Sequence, residues 1–308
     1  MSLPLKTAGG AGPSLWLYLP LFGLGMLWGF SFSAAKIAIS TGGHPAGIAL
    51  WQAFGGALIL FAVAVSRGKR PVIDRAHLRY YAASGLVGVA IPSTSIYVAA
   101  PHLPASIMAI LVSTGPMMTY LFALLLRMER FERRRALGIV VGFGGVALLV
   151  GPSAALPDRA AAGWALVALI APICYASQNI VATRLRPADS DSMALACGML
   201  AVAATFLAAY VVPFDVVYDI APPWDRTHAA ILSLVLIAGL SQTVFFFVIG
   251  RAGPVFTSQV GYFVTLCGVV WGIVLFGERL DESVWISLAL LLLGVALVSP
   301  KRYGPAPV

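Results

Sequence analysis

The chain has 308 residues, of which 60% are hydrophobic and only 10% charged. Soluble domains carry about 25% charged residues and cannot cover this much apolar surface, so a soluble enzyme or binding module is excluded and a bilayer is the fitting solvent. The net charge of +8 does not indicate nucleic acid, because the lysines and arginines lie in short loops between apolar runs, where they set membrane topology.

A helix needs about 20 mostly apolar residues to cross a bilayer. The first such run covers 15–39. It is longer than the ~7–15 residue core of a cleaved signal peptide, so it is read as a mature span. Runs at 46–65, 80–100, 104–126 and 136–150 follow, then 163–183, 192–212, 229–250, 254–276 and 284–298. Their apolar residues are continuous rather than alternating, which predicts helices and not a barrel. The expectation is an all-α integral membrane protein of ten transmembrane helices, the fifth and tenth of them short.

Positive charge then sets the orientation. With the N-terminus in the cytoplasm, the inner segments hold Lys6, the Arg67–Arg79 group, the Arg127–Arg135 group, Arg184, Arg186, Arg251, Lys301 and Arg302. The outer loops hold only Arg159, Arg226 and Arg279. This asymmetry places both termini in the cytoplasm. Without large external domains or a targeting extension, the chain is expected to be a multi-pass protein of a bacterial inner membrane.

The two halves repeat. At an offset of 149, Glu129-Arg130 falls on Glu278-Arg279, and Gly145-Val146-Ala147-Leu148 on Gly294-Val295-Ala296-Leu297. Thr94 falls on Thr243. Five spans per half is an odd number, so the second half enters the membrane upside down. The expected units are residues 1–155 and 156–308, two inverted five-helix repeats. Such repeats are typical of secondary transporters, with sites near the midplane between the halves.

The same residues resemble the drug/metabolite transporter superfamily, EamA type. The first span ends Trp28-Gly29-Phe30-Ser31-Phe32-Ser33-Ala34-Ala35-Lys36, and the fourth carries Ser113-Thr114-Gly115-Pro116. The fourth and ninth end Leu-x-x-Glu-Arg, at Leu126–Arg130 and Leu275–Arg279, and a glycine-rich span follows the first of these. The resemblance covers nearly the whole chain, and within the superfamily it is greatest to the aromatic amino-acid exporters of the YddG kind. It implies export of small amino acids, aromatic ones favoured within a broad neutral specificity, by alternating access. Exporters of nucleobases, sugars or cationic drugs share these motifs.

Charges inside a span are costly, so Lys36 stands out. It either attracts a substrate carboxylate in a cavity or snorkels to the outer headgroups. All twelve acidic residues lie in loops or at span ends, which argues against a buried carboxylate relay and for facilitated rather than obligatorily proton-coupled transport. Uncharged polar residues share helix faces at i, i+3 and i+4 spacings: Tyr175, Gln178 and Asn179; Gln259, Tyr262 and Thr265; Ser93 and Tyr97, with Gln242 and Phe246 as repeat partners. Each alone is readily interhelical glue. Together on facing helices, and with Trp28, Ser33 and Lys36, these residues other than Thr265 and Phe246 are the candidate substrate site.

Pro92, Gly115-Pro116 and Pro172 are candidate bends, and Gly138-x-x-x-Gly142 allows a close helix contact, or a dimer, though no oligomer is required. Cys174, Cys197 and Cys267 lack metal-ligand spacing, the four histidines are dispersed, and no GxxxxGK[ST] loop occurs. A membrane enzyme, a receptor and an ATP-driven pump are therefore the weaker readings. No cofactor, metal or nucleic acid is expected; the partners are a small-molecule substrate and the bilayer.

Overall fold

The structure is a computed structural model, and it describes residues 15–151, 160–188 and 190–299, with the side chains of 253–255 left aside. Lys6, Arg159, Lys301 and Arg302, on which part of the orientation argument rests, lie outside the described residues.

Grouped where one segment runs into the next, the helices among the described residues make ten rods. They are α1 (Leu15–Ile39), α2 (Pro45–Ser66), α3 (Arg75–Ala99), α4 (Ala105–Leu125), α5 (Arg133–Val150), α6 (Ala161–Arg184), α7 (Ser192–Val211), α8 (Arg226–Thr257), α9 (Val260–Phe276) and α10 (Glu282–Val298). Seven are long and apolar enough to cross a bilayer; α9 and α10 are apolar but only 17 residues each, and α5 opens on Arg133, Arg134 and Arg135.

Acidic and histidine side chains mark the starts. Asp74 accepts from the His77 amide at 2.8 Å before α3, Asp191 from the amides of Met193 and Ala194 at 3.0 and 3.1 Å before α7, and Asp225 from those of Thr227 and His228 at 2.9 and 3.2 Å before α8. The His44 ring accepts from the Ala46 amide before α2. Each satisfies an amide that the first turn leaves unpaired. The His77 amide and ring hold the Asp74 carboxyl below its ordinary value, and the His228 ring, then its amide, does the same for Asp225. A carboxylate depressed in the folded state adds stability above its unfolded value of about 3.9 and loses it as pH falls through the folded value. Protection of the first-turn amides of α3 and α8, their exchange rate taken relative to the intrinsic rate at each pH, is therefore expected to hold from neutral pH down to about pH 4 and to fall only below it; a loss of protection already at pH 6 would contradict this.

Prolines explain three interruptions. Pro92 follows a π-turn at Leu86–Ala90 within α3. Pro116 follows a break at Ser113-Thr114 in α4, and Pro172 a break at Leu169 in α6. A helical proline has no N–H and crowds the carbonyl four residues back, and the local unwinding relieves this. In α4 the freed side chains turn on their own helix: Ser113 donates to Ile110 O at 2.6 Å and Thr114 to Leu111 O at 2.8 Å.

Packing runs mainly between the first five rods and the last five. α5 lies along α10, α2 along α7 and α8, and α1 along α8 and α9. α4 is divided: its first half packs on α9 and its second half on α6. Lipid gives helices no hydrophobic reason to associate, so close backbone approach must serve instead. The contacts meet that need at Gly138, where a Cβ would stand 2.8 Å from Gly294 O, and at Gly29, where one would stand 2.7 Å from Gly268 N.

One boundary departs from the sequence expectation. The eighth span was expected to end at 250 and the ninth to begin at 254, but α8 continues to Thr257 and the turn falls at Ser258-Gln259. Arg251, expected in an inner loop, is inside α8, its guanidinium 5.2 Å from the Phe247 ring. Residues 251–257 continue the helix through a glycine and a proline, the two residue types of lowest helix propensity.

Candidate functional site

A cavity of about 580 Å³ lies between α4, α6, α9 and α10, with Trp28 of α1 at its deep end. The divided helix α4 supplies much of the wall: Val112, Ser113, Gly115, Pro116 and Thr119 all line it. Interrupted helices are tolerated at membrane depth where they border a cavity, and Pro116 is the reason for this interruption. The lining runs from Trp28 and Ala109 in mid-protein to Glu129, Arg135, Ser258 and Ser299 at helix ends, so the cavity opens at the end that carries the α4–α5 loop.

Four of the candidate residues line it: Trp28, Tyr175, Asn179 and Tyr262, together with Thr265. The Trp28 indole N–H donates to Ser241 Oγ at 2.8 Å, and its ring lies 5.6 Å from that of Phe245. Ser241 in turn donates to Ile237 O. Asn179 donates from Nδ2 to Thr119 Oγ1 at 3.0 Å. Tyr175 and Tyr262 pack at the edge of the main core. The wall is thus mostly apolar and aromatic, with an amide and hydroxyls at a few points, the composition of a small-molecule site.

The other seven do not line it. Ser33 is fully buried, its hydroxyl without a partner. Tyr97 is buried and donates to Gln52 Oε1 at 2.6 Å, tying α3 to α2. Gln178 turns toward α7, its Nε2 3.8 Å from Met199 sulfur and its Oε1 unpartnered. Ser93 and Gln242 are half-buried on α3 and α8, and Gln259 is in the turn before α9. Lys36 points to the opposite end of the molecule. Its ammonium donates to Leu103 O at 2.8 Å and sits 5.4 Å from the Phe276 ring.

At that opposite end the two halves are tied together. Glu278 Oε1 accepts from the Ala105 amide at 2.7 Å, and Oε2 accepts from the Ser106 amide at 3.1 Å and the Ser106 hydroxyl at 2.5 Å. A loop of the second half thereby caps the start of α4 in the first half.

At the open end the sequence reading missed a charged pair. Arg135, almost fully buried, lies 3.3 Å from Glu129 and 3.5 Å from Glu132, with its guanidinium 5.0 Å from the Tyr120 ring. The Tyr120 hydroxyl donates to Arg130 O at 3.1 Å and accepts from the Glu132 amide at 2.9 Å, bracing the loop. Arg133, Arg134 and Arg135 look alike in sequence, and only the helical phase that turns Arg135 inward separates them. Among the described residues no group of three or more His, Cys, Asp or Glu is placed to hold a metal ion.

Comparison with known proteins agrees with this architecture. The model of the EamA-like transporter family matches the chain twice, over residues 15–151 and 162–299. The chain is 24% identical to the uncharacterized inner membrane transporter YedA of Escherichia coli K12, over 92% of both chains. It is 21% identical to the uncharacterized transporter YoaV of Bacillus subtilis 168, over 90% of this chain and 94% of that one. A solved crystal structure superposes with a TM-score of 0.61 at 16% identity, covering 92% of this chain and 96% of the other; the likeness is one of fold.

Proposed function

Since the chain belongs to the EamA-like transporter family, we propose that it exports small amino acids from the cytoplasm, aromatic ones favoured within a broad neutral range. Export proceeds by alternating access between two inverted five-helix halves, residues 1–155 and 156–308, that together cross an inner membrane ten times. The family match over each half supports this reading. So does the helix pairing: exchanging the halves maps the contact of α1 with α9 onto that of α6 with α4, and returns α2–α7 and α5–α10 to themselves. Arg127, Arg130 and Arg133 cluster at the open end, which supports a cytoplasmic position for that end and the cavity mouth. The membrane of the YedA relative, named as inner, supports the localisation.

The observation that carries the substrate class is the cavity wall. Trp28, Tyr120, Tyr175 and Tyr262 offer aromatic surface, and Asn179 and Thr119 offer hydrogen bonds. Burying a ring of ~150–250 Å² at ~25 cal/mol/Å² yields roughly 4–6 kcal/mol, against which the desolvation of a zwitterion must be set. The sum is weak, broad binding, suited to relieving overload. The carboxylate on the cavity, Glu129, is held by Arg135 at the mouth rather than deep in the wall, which supports facilitated transport without an obligatory proton.

The test is flux from purified protein in liposomes. Tryptophan, phenylalanine and tyrosine are expected to exit down their own gradients and to compete with one another, aliphatic amino acids less so, nucleosides and cationic drugs least. Accumulation against a gradient when only a pH difference is imposed would overturn the facilitated mechanism. Preference for nucleosides or cations would overturn the substrate class.

A further inference from the structure

The two Glu-Arg motifs occupy equivalent places in the halves but stand in different states. Glu278 is engaged, holding the Ala105 and Ser106 amides and the Ser106 hydroxyl. Lys36 grips the same loop through Leu103 O. The approach depends on Gly272, where a Cβ would collide with Glu278 Oε2 and stand 3.0 Å from the Ser106 amide. Glu129 instead faces Arg135 at 3.3 Å, about half exposed on the open cavity.

The backbone each would cap differs accordingly. Leu103-Pro104 is a turn, with Pro104 extended at ψ 144, and α4 starts fresh after it. The positions 149 residues on, Ala252-Gly253, are inside α8. α8 has 32 residues where its counterpart α3 has 25. At 1.5 Å per residue that is about 48 Å, well beyond the ~30 Å hydrocarbon core. The first part of the surplus, 249–253, matches 100–104, which in the first half is loop.

We propose that Glu129 and Glu278 are alternating latches of the two ends. When the open end closes, α8 breaks at Gly253-Pro254, α9 gains a new start, and Glu129 leaves Arg135 to accept hydrogen bonds from the amides of Val255 and Phe256, the first that such a start offers because Pro254 has no N–H. Glu278 meanwhile releases Ala105 and Ser106. Helix starts favour a carboxylate, and charge-assisted bonds of this kind are about twice as strong as neutral ones. Glu132 stays 3.5 Å from the buried Arg135 when the half-exposed Glu129 leaves, so the latched arrangement is the one that removing Glu129 loses. The proposal rests on the transporter reading only in requiring two access states; it is independent of the substrate.

The experiment is amide hydrogen exchange of residues 103–108 in the full chain in nanodiscs, at the end opposite Glu129. Glu278→Ala is expected to speed exchange there. Glu129→Ala is expected to slow it, by about tenfold for loss of a charged hydrogen-bond partner, because the molecule then rests with its Glu278 end sealed. Glu129→Gln, which keeps an acceptor but not the charge, gives a smaller slowing and serves where the alanine variant fails to fold. Unchanged exchange at 103–108 in both Glu129 variants, or faster exchange, would overturn the proposal and leave Glu278 as a static cap. No substrate enters the measurement, so a wrong substrate class leaves its outcome readable.

Discussion

Leucine at position 29 is expected to abolish the folded protein. An ideal Cβ there stands 2.7 Å from the backbone nitrogen of Gly268 and 3.0 Å from the carbonyl carbon and Cβ of Cys267. Neither is the free end of a flexible side chain, so α1 and α9 must move apart. Gly268 cannot absorb the change, because its own Cβ position is already occupied by Ala109 of α4. Overpacking in cores costs about 1–3 kcal/mol, and more where backbone blocks relief. In lipid no hydrophobic gain offsets the loss, since a displaced helix face meets acyl chains as apolar as itself. Gly29→Leu is expected to elute as aggregate, with no cooperative melt in detergent. The control is Gly144→Ala, where a Cβ meets nothing within 4 Å and better helix propensity adds up to ~1 kcal/mol. Equal melting temperatures for the two variants would refute the close α1–α9 seam.

The seam shows why some of the fold was legible and some was not. Span positions follow from hydropathy, which a bilayer enforces residue by residue, so most rod ends fall within a few residues of expectation. The 149-residue register of Glu129-Arg130 and Glu278-Arg279 stands out in the sequence because charged residues are rare in this chain. The bend at Gly115-Pro116 was legible because proline acts on its own backbone. What each polar side chain meets was not. Tyr97, Gln178 and Lys36 share plausible faces with the cavity residues, yet Tyr97 bonds Gln52, Gln178 turns to α7 and Lys36 reaches Leu103 O. Those partners lie on other helices, and sequence spacing fixes a residue's face on its own helix, not the rotation of that helix against its neighbours. The end of α8 differs for another reason: Arg251 interrupts the apolar run and so reads as loop, but the helix continues past it to Thr257.

Two variants separate binding from movement within the proposed function. Trp28→Ala removes a ring that faces the cavity, leaves Ser241 without the indole donor and leaves Phe245 without its aromatic neighbour. If the ring binds substrate, flux at low substrate should fall at least about tenfold, mainly through a raised KM, as loss of an aromatic contact worth ~1–2 kcal/mol or more implies. Lys36→Met keeps the aliphatic stem and removes the ammonium that holds Leu103 O beside Glu278. That site is at the end opposite the cavity mouth and off the cavity, so KM should change less than about twofold while the maximal rate changes, the pattern of a residue that acts on the conformational step rather than on uniform binding. Initial-rate flux over a range of substrate concentrations decides the matter. Should Lys36→Met raise KM about tenfold at an unaltered maximal rate, the ammonium is a substrate anchor after all, and the Leu103 contact is one it relinquishes when the carboxylate arrives.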